Sequence, residues 1–127
     1  EEFGSILSEV SELSHKVTVI AEGAALLPEL VAPLLSSEQH ALWLVPRPSF
    51  QRSVYPERGA WVQEILAQCS QPQQALQNWM ARDIGYGRRI RETADDLGLP
   101  LVVVYGKASL NEVAERVRRQ FAHCLEG

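Results

Sequence analysis

The chain has 127 residues, of which 46% are hydrophobic and 22% charged, and a formal net charge of −4. That length fits one domain able to bury a real core; no apolar run approaches the roughly 20 residues a bilayer crossing needs, and the mild acidity argues against general nucleic-acid binding. Cys69 and Cys124 stand far apart, and His15, His40 and His123 are equally scattered along the chain, so the spacings suggest neither zinc nor redox chemistry: the thiols read as reduced cysteines of a cytosolic protein and the histidines as structural or surface residues.

Phe3, Ile6, Leu7, Val10 and Leu13 recur at helical spacing over residues 2–13, an acidic amphipathic opening unlike a signal peptide. Residues 17–21 (VTVIA) are short and β-branched, which predicts a buried strand ended by Glu22 and Gly23. Residues 27–35 predict a helix with Pro28 in its first turn and a kink at Pro33. A second buried strand is predicted at 41–45 (ALWLV), closed by Pro46 and Pro48, then short helices over 49–55 and 60–68. Ser70, Gln71 and Pro72 open a long helix that Gly98, Leu99 and Pro100 stop. Residues 101–105 (LVVVY) predict a third strand, and Ser109 with Glu112 a capping box for a last helix from 110 to about 125. Continuous apolar strands alternating with helices predict an α/β fold, a three-stranded parallel sheet flanked by helices on both faces, with residues 1–127 as a single α/β domain. Trp43, Trp61 and Trp79 read as core or helix-packing residues.

Residues 79–91, WMARDIGYGRRIR, gather Arg82, Arg88, Arg89 and Arg91 around Asp83, with Gly85 and Gly87 among them. In one helix Arg82, Tyr86 and Arg89 fall on a single stripe, because seven residues make nearly two turns, and Gly85 leaves backbone uncovered beside it. Clustered guanidiniums beside bare backbone suit an oxyanion, phosphate above all; the plainer alternative is a solvated basic face. The cluster is a local departure in an acidic chain, and each glycine inside a helix costs about 1 kcal/mol against alanine, which asks for a compensating reason. Asp83 reads as positioning a guanidinium.

The ends of the strands carry the other candidates. Glu22 would point into the crevice where parallel sheets bind ligands, to hold magnesium through water or orient an attacking hydroxyl; the alternative is a helix N-terminal acid favoured by the macrodipole. Arg47 ends the second strand, and Arg52 and Arg58 follow; with the helix cluster they could line one phosphate-binding mouth, or be ordinary surface, the reading taken for Arg52. At Tyr105, Gly106 and Lys107 the glycine would let backbone approach a nucleotide base and the tyrosine stack on it; the plainer reading is a strand-to-helix turn in which glycine supplies the backbone angle. There is no G-x-x-x-x-G-K-S/T phosphate loop and no nucleophile-elbow triad in the chain.

The stretches VIAEGAALLPELVAPLL, LWLVPRPSFQRSVYPERGAW, NWMARDIGYGRRIRETADDLGLP and LVVVYGKASLNEVAERV, which cover nearly the whole chain, resemble the C-terminal two thirds of a bacterial P-loop kinase-like protein of the nucleoside, shikimate and gluconate kinase type. The most specific pieces are EGAALLPE, LVPRPSF and WMARD, in that order. The resemblance implies that Glu22 is the acid near magnesium or the acceptor, and that the arginine-rich helix is a lid. Arg82 and Arg89 would then be catalytic, with Arg88, Arg91 and Arg58 also binding phosphate, and Tyr105, Gly106 and Lys107 would form the adenine-side loop. Kinases of this group often have aspartate or a small residue where Tyr105 stands. The implied cofactors are ATP and magnesium in the intact protein, with none expected for the chain alone, and the implied substrate is a small-molecule phosphate acceptor. The strand, phosphate loop and helix that open such domains would lie upstream of Glu1, so the chain is expected to be a fragment without turnover, the alternative being a natural remnant that lost the activity; the opening EEF, which reads as the middle of a domain, favours the fragment.

The competing expectation is a non-enzymatic interaction module: a sheet without its phosphate-loop strand would expose an edge and pair with another chain, including a second copy of itself. A complete receiver-like or flavodoxin-like domain is disfavoured, since the former needs paired acids where Glu22 stands alone, and Gly23, Ala24 and Ala25 offer the latter little hydroxyl chemistry. No membrane or nucleic-acid partner is expected.

Overall fold

A computed structural model describes residues 2–14, 17–37 and 40–125; His15 lies outside them. Helix α1 spans Glu2–Ser14. Helix α2, Pro28–Val31, passes into a 3-10 turn at Ala32–Leu34, the change falling at Pro33, whose missing N–H cannot continue an α-helical ladder. Strand β1 is Trp43–Pro46, followed by α3, Pro48–Val54, a 3-10 turn at Tyr55–Glu57, and α4, Ala60–Ala67. The long helix α5 is Pro72–Asp96, then come strand β2, Leu101–Val104, helix α6, Leu110–Gln120, and helix α7, Ala122–Leu125. Proline is the first residue of α2, α3 and α5, where its preset φ fits and no N–H is needed.

Among the described residues the sheet has two strands, β1 and β2, parallel and in register from Trp43 opposite Leu101 to Pro46 opposite Val104. The pairing extends through Trp43 N–H to Pro100 O (3.2 Å) and Arg47 N–H to Val104 O (2.8 Å). The first predicted strand, at residues 17–21, is not formed. A strand needs a ladder partner, and this stretch has none; Val17 is 60% and Ile20 85% exposed. Burial also differs from the expected two covered faces: Trp43 and Val45 are buried, whereas Leu44, on the opposite face, is 47% exposed.

Helix α5 organises the fold, touching β1, β2, α2, α3 and α4. The core lies around it, where Trp43 and Val45 of β1, Tyr55, Val62 and Leu66 of α4, and Met80 and Ala94 are buried. A Cβ on Gly87 would sit 3.1 Å from Val45 Cγ1, so this glycine lets the helix press close to β1. Helix α5 ends in a Schellman motif: Gly98, at φ +65, donates to Asp95 O and Leu99 N–H donates to Ala94 O. Helix α6 starts in the predicted capping box, with Glu112 N–H donating to Ser109 Oγ and Ser109 N–H donating to Glu112 Oε2 at 2.6 Å. The tryptophans pack as expected: Trp43 is buried with Nε1–H bonded to Leu26 O at 2.8 Å, and Trp79 meets Tyr55 edge-on and Trp61 at a tilt, at 5.5 and 5.8 Å between ring centroids.

Candidate functional site

The arginine-rich segment lies within α5, and the helix sets Arg82, Tyr86 and Arg89 on one side, as the seven-residue spacing predicts. Each makes a specific contact. Arg82 reaches Asp83 Oδ1 at 2.7 Å, and the Tyr55 hydroxyl donates to Asp83 Oδ2. Asp83 therefore positions a guanidinium, as expected, and also anchors the segment that follows β1. Burial, then the Asp83 carboxylate, pushes the Tyr55 hydroxyl above its usual pKa, while Arg58, 5.0 Å over the same ring, opposes the shift. One turn beyond Arg82, the Tyr86 hydroxyl donates to Ala24 O. Arg89 pairs with Glu29 Oε1 at 2.7 Å. Glu29 stands in the first turn of α2, where its own backbone N–H, and then Arg89, hold its carboxyl below the ordinary range.

These contacts hold the 24–29 segment against the arginine flank of α5. Glu22 is exposed and precedes Ala24 by two residues, and Arg82 and Arg89 share one side of the helix. The remaining arginines do not join them as one clamp. Arg88 and Arg91 are exposed and sit on other sides of α5, by the 100° advance per residue. Arg58 belongs to the Tyr55–Asp83 cluster, and Arg47 stacks over the Tyr105 ring at 5.1 Å. Gly85 has no neighbour near its missing Cβ, so the backbone is open there, yet a mid-helix N–H is already bonded within the helix and offers an anion no donor.

The predicted base-contacting turn fits a nucleotide base less well. Gly106 adopts φ +78, and a side chain on it would collide with the Phe50 ring, so Phe50 fills the space a base would need above that backbone. The glycine thus serves the strand-to-helix turn, the plainer of the readings. Tyr105 and Lys107 are exposed. For magnesium, the lone exposed carboxylate of Glu22 fits a contact through water rather than a cage of protein oxygens. Arg52, read as surface, edges a cavity of about 360 Å³ between the 3-10 turn at Tyr55 and α5, whose wall includes Leu76, Met80 and Ile84.

One grouping escaped the sequence reading. His40, His123 and Cys124, judged scattered, have ligand atoms that all lie within 4.8 Å of one another. The only local signal was the adjacent His–Cys pair; the third member is 83 positions away from His123, brought in by the fold.

No protein-family model, curated protein or solved structure matches the chain.

Proposed function

We propose that the chain is the lid and nucleotide-base half of a P-loop kinase-like phosphotransferase that acts, with ATP and magnesium, on a small-molecule acceptor once a phosphate-loop segment is supplied, and that has no turnover by itself. The observation that carries this reading is that Tyr86 and Arg89, on the same flank of α5 as Arg82, hold Ala24 and Glu29, which follow Glu22 closely in the sequence. An acid for the metal or acceptor and cations for the transferring phosphoryl group are the charges such chemistry requires. Arg82 and Arg89 are 72% and 65% exposed, so their pairs with Asp83 and Glu29 are surface pairs, worth about 0–1 kcal/mol. A charge-assisted bond to phosphate is worth about 1.5–3 kcal/mol, so an incoming phosphoanion outcompetes those carboxylates. The parallel pairing of β1 with β2, joined through α5, also agrees with this class. In this reading the first predicted strand, at 17–21, forms when a phosphate-loop strand lies beside it, and Tyr105 and Lys107, rather than Gly106, face the base.

Calorimetric titration with inorganic pyrophosphate tests the reading. Binding is expected, and the Arg82→Ala, Arg89→Ala double variant should lose at least roughly tenfold in affinity, the equivalent of one charge-assisted bond, while Arg52→Ala keeps it. Equal affinity in the double variant refutes the phosphate role.

A second reading, a non-enzymatic module that self-associates, is favoured by the exposure of Val17 and Ile20 beside a sheet of two strands. Light scattering that returns a monomer at high concentration removes it.

A further inference from the structure

We propose that His40, His123 and Cys124 form a zinc-binding site that fastens the C-terminal helix α7 to the turn leading into β1. The three donors come from two separate parts of the chain, and their ligand atoms lie within 4.8 Å of one another. The Cys124 Sγ is 3.2 Å from His123 Nε2. The imidazoles of His40 and His123 stack at 5.2 Å between centroids with their planes 20° apart.

The separations suit a tetrahedral ion. With Zn–N near 2.0 Å and Zn–S near 2.3 Å, neighbouring donors of a tetrahedron stand roughly 3.3–3.6 Å apart. The thiol and His123 are already at that separation. The widest donor pair, at up to 4.8 Å, closes by about 1.2–1.5 Å, which rotation of exposed His40 and His123 side chains supplies. Ser36 Oγ lies 2.9 Å from His40 Nδ1, which engages that nitrogen and leaves Nε2 for a metal.

The donor set selects the ion. Two imidazoles and a thiolate are borderline-to-soft ligands, wrong for magnesium or calcium and right for zinc. Three protein donors leave a fourth position for water, the pattern of an open rather than a closed site. On binding, the Zn–S bond forms as the S–H bond of Cys124 breaks, and the proton passes to solvent; no electron is transferred. The consequence is structural. His40 precedes β1 by three positions, and Gln120, at the end of α6, already reaches back to Ala41 O at 3.4 Å, so zinc would add a second and stronger tie between the last helix and the start of the sheet. A ligand that binds only the folded form stabilises it by mass action.

The test uses the whole chain and cobalt(II) as a spectroscopic substitute for zinc. Cobalt should give a near-ultraviolet sulfur-to-metal charge-transfer band together with intense visible bands of a tetrahedral ion, and zinc should displace it. Cys124→Ser should abolish the charge-transfer band and Cys69→Ser should leave it intact. His40→Ala and His123→Ala should each lower zinc affinity, read by competition with a chromophoric chelator, by at least roughly tenfold, and zinc should raise the melting temperature of the unaltered chain but not of Cys124→Ser. A cobalt spectrum without the charge-transfer band, a band lost with Cys69→Ser and kept with Cys124→Ser, or zinc affinity unchanged in both histidine variants each overturns the site. The unaltered chain alone provides the first of these outcomes, so a variant that fails to fold does not shelter the proposal.

Discussion

The two glycines of α5 should respond in opposite ways to the same substitution. Alanine in place of glycine inside a helix gains about 0.5–1 kcal/mol from backbone entropy and propensity. At Gly85 nothing lies within 4 Å of the new methyl, so the whole gain should appear. At Gly87 the methyl would stand 3.1 Å from Val45 Cγ1, some tenths of an ångström inside ordinary carbon contact. Val45 is buried and its strand is held by β2, so either the helix or the strand must shift, an overpacking cost of about 1–3 kcal/mol. Gly85→Ala is therefore expected to raise the melting temperature by about 2–5 °C, and Gly87→Ala to leave it unchanged or lower it by up to about 10 °C, for a domain of this size. Thermal unfolding followed by far-ultraviolet circular dichroism gives both values. The cause is checked by a double-mutant cycle: in a Val45→Ala background the obstructing methyl is gone, and Gly87→Ala should recover the helix gain. A Gly87→Ala protein as stable as Gly85→Ala, or a cycle without coupling, refutes the close seating of α5 on β1. Pyrophosphate affinity should not change in Gly85→Ala, because the amide there is committed to the helix.

Ser109→Ala should cost about 1 kcal/mol, with an unchanged urea m-value, because it removes the acceptor for Glu112 N–H at the start of α6. Arg118 and Arg119 hold the Glu115 carboxyl down at about 2 from an ordinary 4.5. A depressed carboxylate stabilises the fold above its unfolded pKa and loses that contribution as pH falls through the folded one, so this share of stability fades between about pH 4.5 and 2; carboxyl carbon NMR should show the titration move back toward 4.5 in an Arg118→Ala, Arg119→Ala variant. Tyr55 works at the other end of the scale: its pKa is raised above 10.0, so its contribution is complete below that pH and is lost as pH rises through the folded value. Ultraviolet titration should detect one late tyrosine, absent from Tyr55→Phe, which should also cost about 0.5–1.5 kcal/mol for the bond to Asp83.

Most elements were legible because their signals are local. Pro28 and Pro72 start helices, Gly98 stops one, and Ser109 with Glu112 caps another; each acts through its own φ or its own hydrogen bond, so neighbouring residues suffice to read it. The strand at 17–21 failed for the converse reason. VTVIA has strand propensity, but a strand exists only through a neighbour, and propensity does not say whether one is within reach. The arginines divide along the same line. Helical periodicity put Arg82, Tyr86 and Arg89 on one flank and the sequence set Asp83 beside Arg82, while the partners Ala24 and Glu29, about 60 residues distant, were chosen by the tertiary fold. Gly87 was visible as an anomaly in a helix, but its reason, the side chain of Val45, was not. The His40, His123 and Cys124 cluster was invisible because ligand spacing rules describe short loops, and this grouping is closed by the packing of α7 against the turn before β1.

The sheet itself bears on which proposed function holds. Parallel strands are ordinarily buried on both faces, since each crossover lays a helix on the sheet. Here α5 covers the Trp43 and Val45 face, whereas Leu44 on the other face and the strand-prone Val17 and Ile20 are exposed. Burying one side chain of this size yields about 1.5–3 kcal/mol, so a strand that recruited residues 17–21 into the sheet would be stabilised by several such terms at once. A strand supplied by a phosphate-loop segment and a strand supplied by a second copy would both gain this energy, but they differ in stoichiometry and in chemistry. The first forms a one-to-one complex that turns over ATP and loses activity in Arg82→Ala. The second forms a dimer whose stability rises with protein concentration and is indifferent to Arg82. Hydrogen exchange at the amides of residues 17–21 should slow in either assembly, so the arginine variant, not the protection, decides between them.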